Sequence, residues 1–137
     1  TPIKSSAASD VYKRQFHATL ESGVNIILEE THLSDYIKNA DIVITGEGCL
    51  DGQTVMGKAP VGVAKIAREF QKPVLAFSGC VTEDAKACHA AGIDAFFPIV
   101  RGVISLEDAM QTDHAKQNMT DTVEQVFRML RTFQNIK

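Results

Sequence analysis

Three short apolar runs separated by amphipathic stretches constrain this chain more than any other feature. "DIVITG" (41–46), "VLAFSG" (74–79) and "DAFFPIV" (94–100) are rich in β-branched and aromatic residues and lack the polar alternation of a strand with one wet face. Such runs read as strands buried on both sides. Between the first two, Val63, Ile66, Ala67 and Phe70 recur at helical spacing, Lys65, Arg68 and Glu69 take the opposite face, and Pro60 suits the first turn. Between the second and third, Thr82 is placed to cap a helix with Glu83 and Asp84 in its first turn, and Gly92 closes it. This order predicts an α/β fold: a three-layer, Rossmann-like parallel sheet with right-handed crossovers and flanking helices. Pro98 places the third strand at or near an edge.

The flanks extend the pattern. "SGVNIILEETHLSDYIKNA" (22–40) reads as helix broken near residues 32–34, although a short strand followed by a helix fits the same letters. Ser105 with Asp108 makes a capping-box-like helix start. Beyond it Ala115, Met119, Thr122, Val126, Met129 and Phe133 step by four and three, the stripe of a long helix packed on a core. The expected core is Val63, Ile66, Phe70, Val74, Leu75, Phe77, Val126 and Phe133.

With 137 residues, 45% of them hydrophobic and 23% charged, the chain has one domain's worth of core. No apolar run approaches the roughly 20 residues of a membrane helix, so no membrane partner is expected. Residues 1–15 are small, polar and aperiodic and read as a non-native or disordered tail, leaving 16–137 as the folded part. The net charge is −3. The tail carries Lys4, Lys13 and Arg14 against Asp10, so the remainder is more acidic still, which argues against a nucleic-acid partner. The three cysteines, Cys49, Cys80 and Cys88, show no CxxC spacing and are expected as reduced cytoplasmic thiols. Cys80, Cys88 and His89 do not match metal-ligand spacings.

Between the first strand and its helix lies "TGEGCLDGQTVMGKAP" (45–60), expected as a loop at the carboxyl edge of the sheet, where ligands of such folds bind. Gly46 and Gly48 would let the backbone approach a ligand or take a positive φ. Glu47 and Asp51 are two carboxylates, enough to hold Mg²⁺ partly through water. The helix after Gly57 offers an anion its N-terminal dipole. "GQTVMGK" fits GxxxxGK, but Ala59 follows where a P-loop needs Ser or Thr, and the expected strand ends several residues earlier. "GEG" lacks the third glycine of a dinucleotide fingerprint. On residue chemistry alone, a ligand loop and a solvated connection both remain open.

"DIVITGEGCLDGQTVMGKAPVGVAKIA" closely resembles the pattern TGEGRxDxQTxxGKxPxGVA of the bacterial type-1 glycerate kinase family, and the likeness continues through "KPVLAFSG", "AGIDAFFPI" and "SLEDAM". The resemblance implies ATP-dependent phosphorylation of D-glycerate, with 2-phosphoglycerate favoured, in the cytoplasm and with Mg²⁺. It implies that Glu47 and Asp51 hold Mg²⁺ or orient the glycerate hydroxyl. Lys58, catalytic with them, and the amides of Gly46, Gly48 and Gly57 would contact phosphate, and Thr45, Gln53 and Thr54 would complete the substrate set. Two departures stand out. Cys49 occupies the position of the pattern's arginine, and a thiol lacks a guanidinium's bidentate grip on an anion. Family members are also much longer, so this chain is expected to be a C-terminal part whose partner is the N-terminal part of the same enzyme.

Overall fold

A computed structural model describes residues 22–134; the expected tail at 1–15 lies outside them. Two short helices come first among the described residues, α1 (Gly23–Glu30) and α2 (Leu33–Lys38), broken at His32, whose φ is positive. Strand β1 (Val43–Leu50) leads through a single 3-10 turn to helix α3 (Ala59–Glu69), strand β2 (Val74–Val81), a second 3-10 turn and the one-turn helix α4 (Ala87–Ala90). Strand β3 (Ala95–Pro98), helix α5 (Leu106–Met110) and the long helix α6 (Thr112–Gln134) complete it. The strands form one parallel sheet in the order β1-β2-β3, with Val43 opposite Val74 and Leu75 opposite Ala95. The fold is α/β, a three-stranded parallel sheet with flanking helices. Pro98 ends β3 on an edge, as its missing N–H requires. Ser105 caps α5 by accepting from the amide of Asp108 at 3.0 Å.

The core has two parts, one on each sheet face. Val43, Val74 and Ala76 pack with Val61, Ala64 and Ala67 of α3, and with Ile37, Cys88 and Ile93. On the opposite face Leu75 and Phe77 pack with Ile99 and Val126 of α6. Phe77 also stacks on Phe97 at 5.5 Å between ring centroids.

Three expectations change. The first strand does not end at Gly46; β1 continues to Leu50, paired through Leu50 with Val81. It is not buried on both faces either. Ile44 is half exposed, because α6 covers β2 and leaves this side of β1 open. Helix α3 turns Val61, Ala64 and Ala67 into the core, while Val63, Ile66 and Phe70 only flank it. Alanines bring helix α3 close to the sheet, while Gly62 faces α1, where a Cβ would meet side-chain atoms of Leu28 and Val24 at 2.9 Å. Finally, Phe133 is 66% exposed and Met129 is largely exposed, whereas Val126 and the whole of β2's apolar run are buried as expected. A helix of 23 residues spans about 35 Å at 1.5 Å per residue and overhangs a three-stranded sheet.

Candidate functional site

At the carboxyl end of β1 four predicted residues converge. Glu47 stands on the strand with its side chain half-buried; Asp51 follows the strand; Thr54 sits in the 3-10 turn; Lys58 begins α3. The Thr54 hydroxyl is completely buried and donates to Glu47 Oε1 at 2.5 Å. Thr54 Oγ1 itself accepts from the amide of Asp51 at 3.2 Å. Asp51 Oδ1 in turn accepts from the amides of Gln53 and Thr54 at 2.9 and 3.0 Å, an Asx turn that shapes the connection. Lys58 Nζ lies 3.2 Å from Asp51 Oδ1 and 3.9 Å from Glu47 Oε2. The hydrogen bond from Lys58, with its charge and the Gln53 and Thr54 bonds, holds the Asp51 carboxyl below the ordinary aspartate range. Both carboxylates therefore face one cation.

The other predicted residues divide. Thr45, Gly46 and Gly48 lie on β1 and, with Glu47, line an open cavity of about 650 Å³ that Met110 and Met119 also border. Gly46 and Gly48 do not take a positive φ; Gly57 does, at 103°, immediately before Lys58. A side chain on Gly46 would collide with the Phe77 carbonyl, so its lack of Cβ serves the approach of β2 and not that of a ligand. Gly48 has open space where a Cβ would stand. Thr54, expected to meet substrate, is sealed from solvent and bonds Glu47 instead. Gln53 is exposed. The N-terminus of α3 is a poorer anion cradle than expected, since Pro60 has no N–H and the amides of Val61 and Gly62 both bind the Lys58 carbonyl at 3.2 Å.

Two further residues support this end of the sheet. Asp84 leans over the connection: a Cβ on Gly52 would stand 2.5 Å from its Oδ2, so a side chain there would push the Asp84 carboxylate aside. Ser78, buried on β2, has its hydroxyl within hydrogen-bonding distance of the carbonyls of Glu47 and Cys80, at 3.0 and 2.7 Å, and donates its one proton between them. Neither carries a sequence signal beyond being polar near a strand end. The cysteine expectation is corrected. Cys49 and Cys80, opposite each other on β1 and β2 with Cα atoms 4.5 Å apart, form a disulfide. Parallel register brings them together although they stand 31 residues apart in sequence, and no spacing rule would have paired them. Cys88 remains a buried thiol, pushed above its ordinary range by burial and by the Glu47, Asp51 and Asp84 charges. His89 stacks on Phe96 and bonds the Ile93 carbonyl.

A sequence profile of the glycerate kinase family matches residues 12–131. The chain belongs to the glycerate kinase family. It is 46% identical over 111 residues to the glycerate kinase of Haemophilus influenzae, an alignment covering 81% of this chain and 29% of that protein. With the glycerate 2-kinase of Escherichia coli it shares 38% identity over 94 residues, 69% of this chain and 25% of that one. A solved structure of a Salmonella typhimurium protein assigned as glycerate kinase 2 superposes with a TM-score of 0.65 at 35% identity, covering 88% of this chain and 29% of that chain. This chain thus spans under a third of the length of these family members. Among the described residues no helix is long and apolar enough to cross a membrane.

Proposed function

We propose that this chain supplies one wall of the active cleft of a cytoplasmic glycerate kinase, which transfers the terminal phosphoryl group of ATP to a hydroxyl of D-glycerate and favours 2-phosphoglycerate. The supporting observation is the Glu47–Thr54–Asp51–Lys58 cluster at the carboxyl end of β1, inside the segment matched to the family. Phosphoryl transfer demands mainly positioning and neutralisation of charge on the transferred group. Lys58 provides the cation and is held on aim by Asp51. Asp51 is acidic, and its Oδ1 is occupied by the Gln53 and Thr54 amides and by Lys58, so it is a poor proton acceptor. Glu47, fixed by the Thr54 hydroxyl on one oxygen and with only the distant Lys58 at the other, is the group to orient the glycerate hydroxyl and accept its proton.

Mg²⁺ fits the donor chemistry in a limited sense. Glu47 and Asp51 share one cation partner and could grip a divalent ion together, yet among the described residues no group of three or more His, Cys, Asp or Glu converges. A magnesium ion here would take its remaining oxygens from water and the nucleotide phosphates, and would neutralise phosphate charge when bound. The rest of the cleft belongs to the remaining two-thirds of the family's chain.

The test is to replace the corresponding segment of the Haemophilus influenzae enzyme with residues 22–134 and follow glycerate-dependent ADP release. Glu47→Gln and Lys58→Met should each lower kcat/KM by ~10²–10⁴-fold, as for a lost proton acceptor or phosphate cation. Unchanged kinetics in both would remove the cluster from the reaction.

A further inference from the structure

The Cys49–Cys80 disulfide lies where the candidate site is held together. Cys49 sits on β1 between Glu47 and Asp51, two residues from each, and by strand alternation it projects from the same sheet face as Glu47. Its partner Cys80 is exposed, while Cys49 is half-buried. The Ser78 hydroxyl lies within hydrogen-bonding distance of the carbonyls of both Glu47 and Cys80, on the two sides of the bond. The bond thus pins the segment 47–51 to β2 at the point where its carboxylates are presented.

We infer that Cys49–Cys80 is a reversible thiol-exchange site, attacked at the Cys80 sulfur by a low-molecular-weight thiol, and that its redox state sets the order of the Glu47–Thr54–Asp51–Lys58 cluster. A thiolate RS⁻ attacks Cys80 Sγ, the protein S–S bond breaks, and Cys49 leaves as a thiolate while an RS–S–Cys80 mixed disulfide forms. A second RS⁻ displaces Cys80 and forms RSSR. Protonation of both cysteines completes the balance: one protein disulfide and two RSH give two protein thiols and one RSSR. Exposure selects Cys80 as the sulfur attacked. Cys88 stays out of the exchange, being fully buried beneath Asp51, whose carbonyl its thiol faces at 3.8 Å. This inference rests on the geometry of the site and not on the phosphoryl-transfer reading.

The test uses the 137-residue chain in mixtures of reduced and oxidised glutathione, with thiols counted by alkylation and mass and amide hydrogen exchange followed at Gln53 and Thr54. In the oxidised chain only Cys88 should alkylate after denaturation, and in the reduced chain all three cysteines. The Gln53 and Thr54 amides, which report the Asp51 clamp, should exchange about tenfold faster when reduced, as expected for local opening. In Cys49→Ser, oxidised glutathione should add to Cys80, and in Cys80→Ser it should add to Cys49 far more slowly. Three free thiols at every glutathione ratio would overturn the exchange site. A redox-dependent thiol count with equal amide exchange in both states would overturn the coupling. Neither readout requires catalysis, so failure of the kinase reading would leave both standing.

Discussion

The fully buried hydroxyl of Thr54 donates to the half-buried carboxylate of Glu47 at 2.5 Å, across the turn that links β1 to α3. One hydroxyl thereby fixes one oxygen of Glu47 and leaves the other facing Lys58 at 3.9 Å. Thr54→Val keeps the shape but takes the hydroxyl partner from Glu47 Oε1 and from the Asp51 amide. It should cost ~1–3 kcal/mol in chemical denaturation, the penalty for unsatisfied buried polar groups. Thr54→Ser should restore most of the loss, and a neutral valine variant would show that the hydroxyl holds nothing.

Asp51 predicts the acid limb of stability. Its carboxyl titrates below the ordinary value of 3.8 because Lys58 and the turn amides favour its charged form. A group whose folded value is depressed stabilises the fold above its unfolded value, and that contribution disappears as pH falls through the folded value. Melting temperature should therefore fall more steeply below about pH 4 in the parent chain than in Asp51→Asn. Parallel profiles for the two proteins would contradict the assignment.

Two glycines on one strand should respond differently to the same change. Gly46→Ala drives a methyl into the Phe77 carbonyl and must shift β1 against β2, a backbone displacement expected to cost ~2–4 kcal/mol. Gly48→Ala enters open space and should stay within about 0.5 kcal/mol, or stabilise slightly by lowering unfolded-state entropy. Urea denaturation of both variants decides it; equal losses would place Gly48 against an unseen wall.

Helix α6 offers a burial gradient. Val126→Ala, at the buried contact with Leu75 and Phe77, should destabilise by ~1.5–3 kcal/mol. Phe133→Ala, largely exposed, should change stability by less than ~0.5 kcal/mol despite the larger side chain. The reverse order would mean that the helix is rotated.

Reducing the disulfide removes a link between residues 31 apart, which by loop-closure entropy is worth ~3–4 kcal/mol. Guanidinium midpoints of the chain with and without reductant, checked against Cys80→Ser, measure it. An unchanged midpoint would show the link to be energetically silent.

Much of this was legible in residue order. Alternating apolar runs and helical stripes encode β1, α3, β2 and β3, because buried parallel strands and crossover helices each impose a local period that letters alone display. Ser105 and Asp108 likewise announce α5, since a cap is a contact between residues three apart. The candidate carboxylates and Lys58 were legible as a set, lying within twelve residues of one another. Tertiary structure decided the rest. Whether Val61 or Val63 is buried is settled by packing of α3 against β1 and β2. Whether Thr54 touches substrate or Glu47 depends on β1 running on to Leu50, which the pairing with β2 enforces. Cys49 and Cys80 become neighbours only through parallel register. Local periodicity determines what each segment is, whereas which side chains meet is set by strand pairing and close approach between segments that sequence distance conceals.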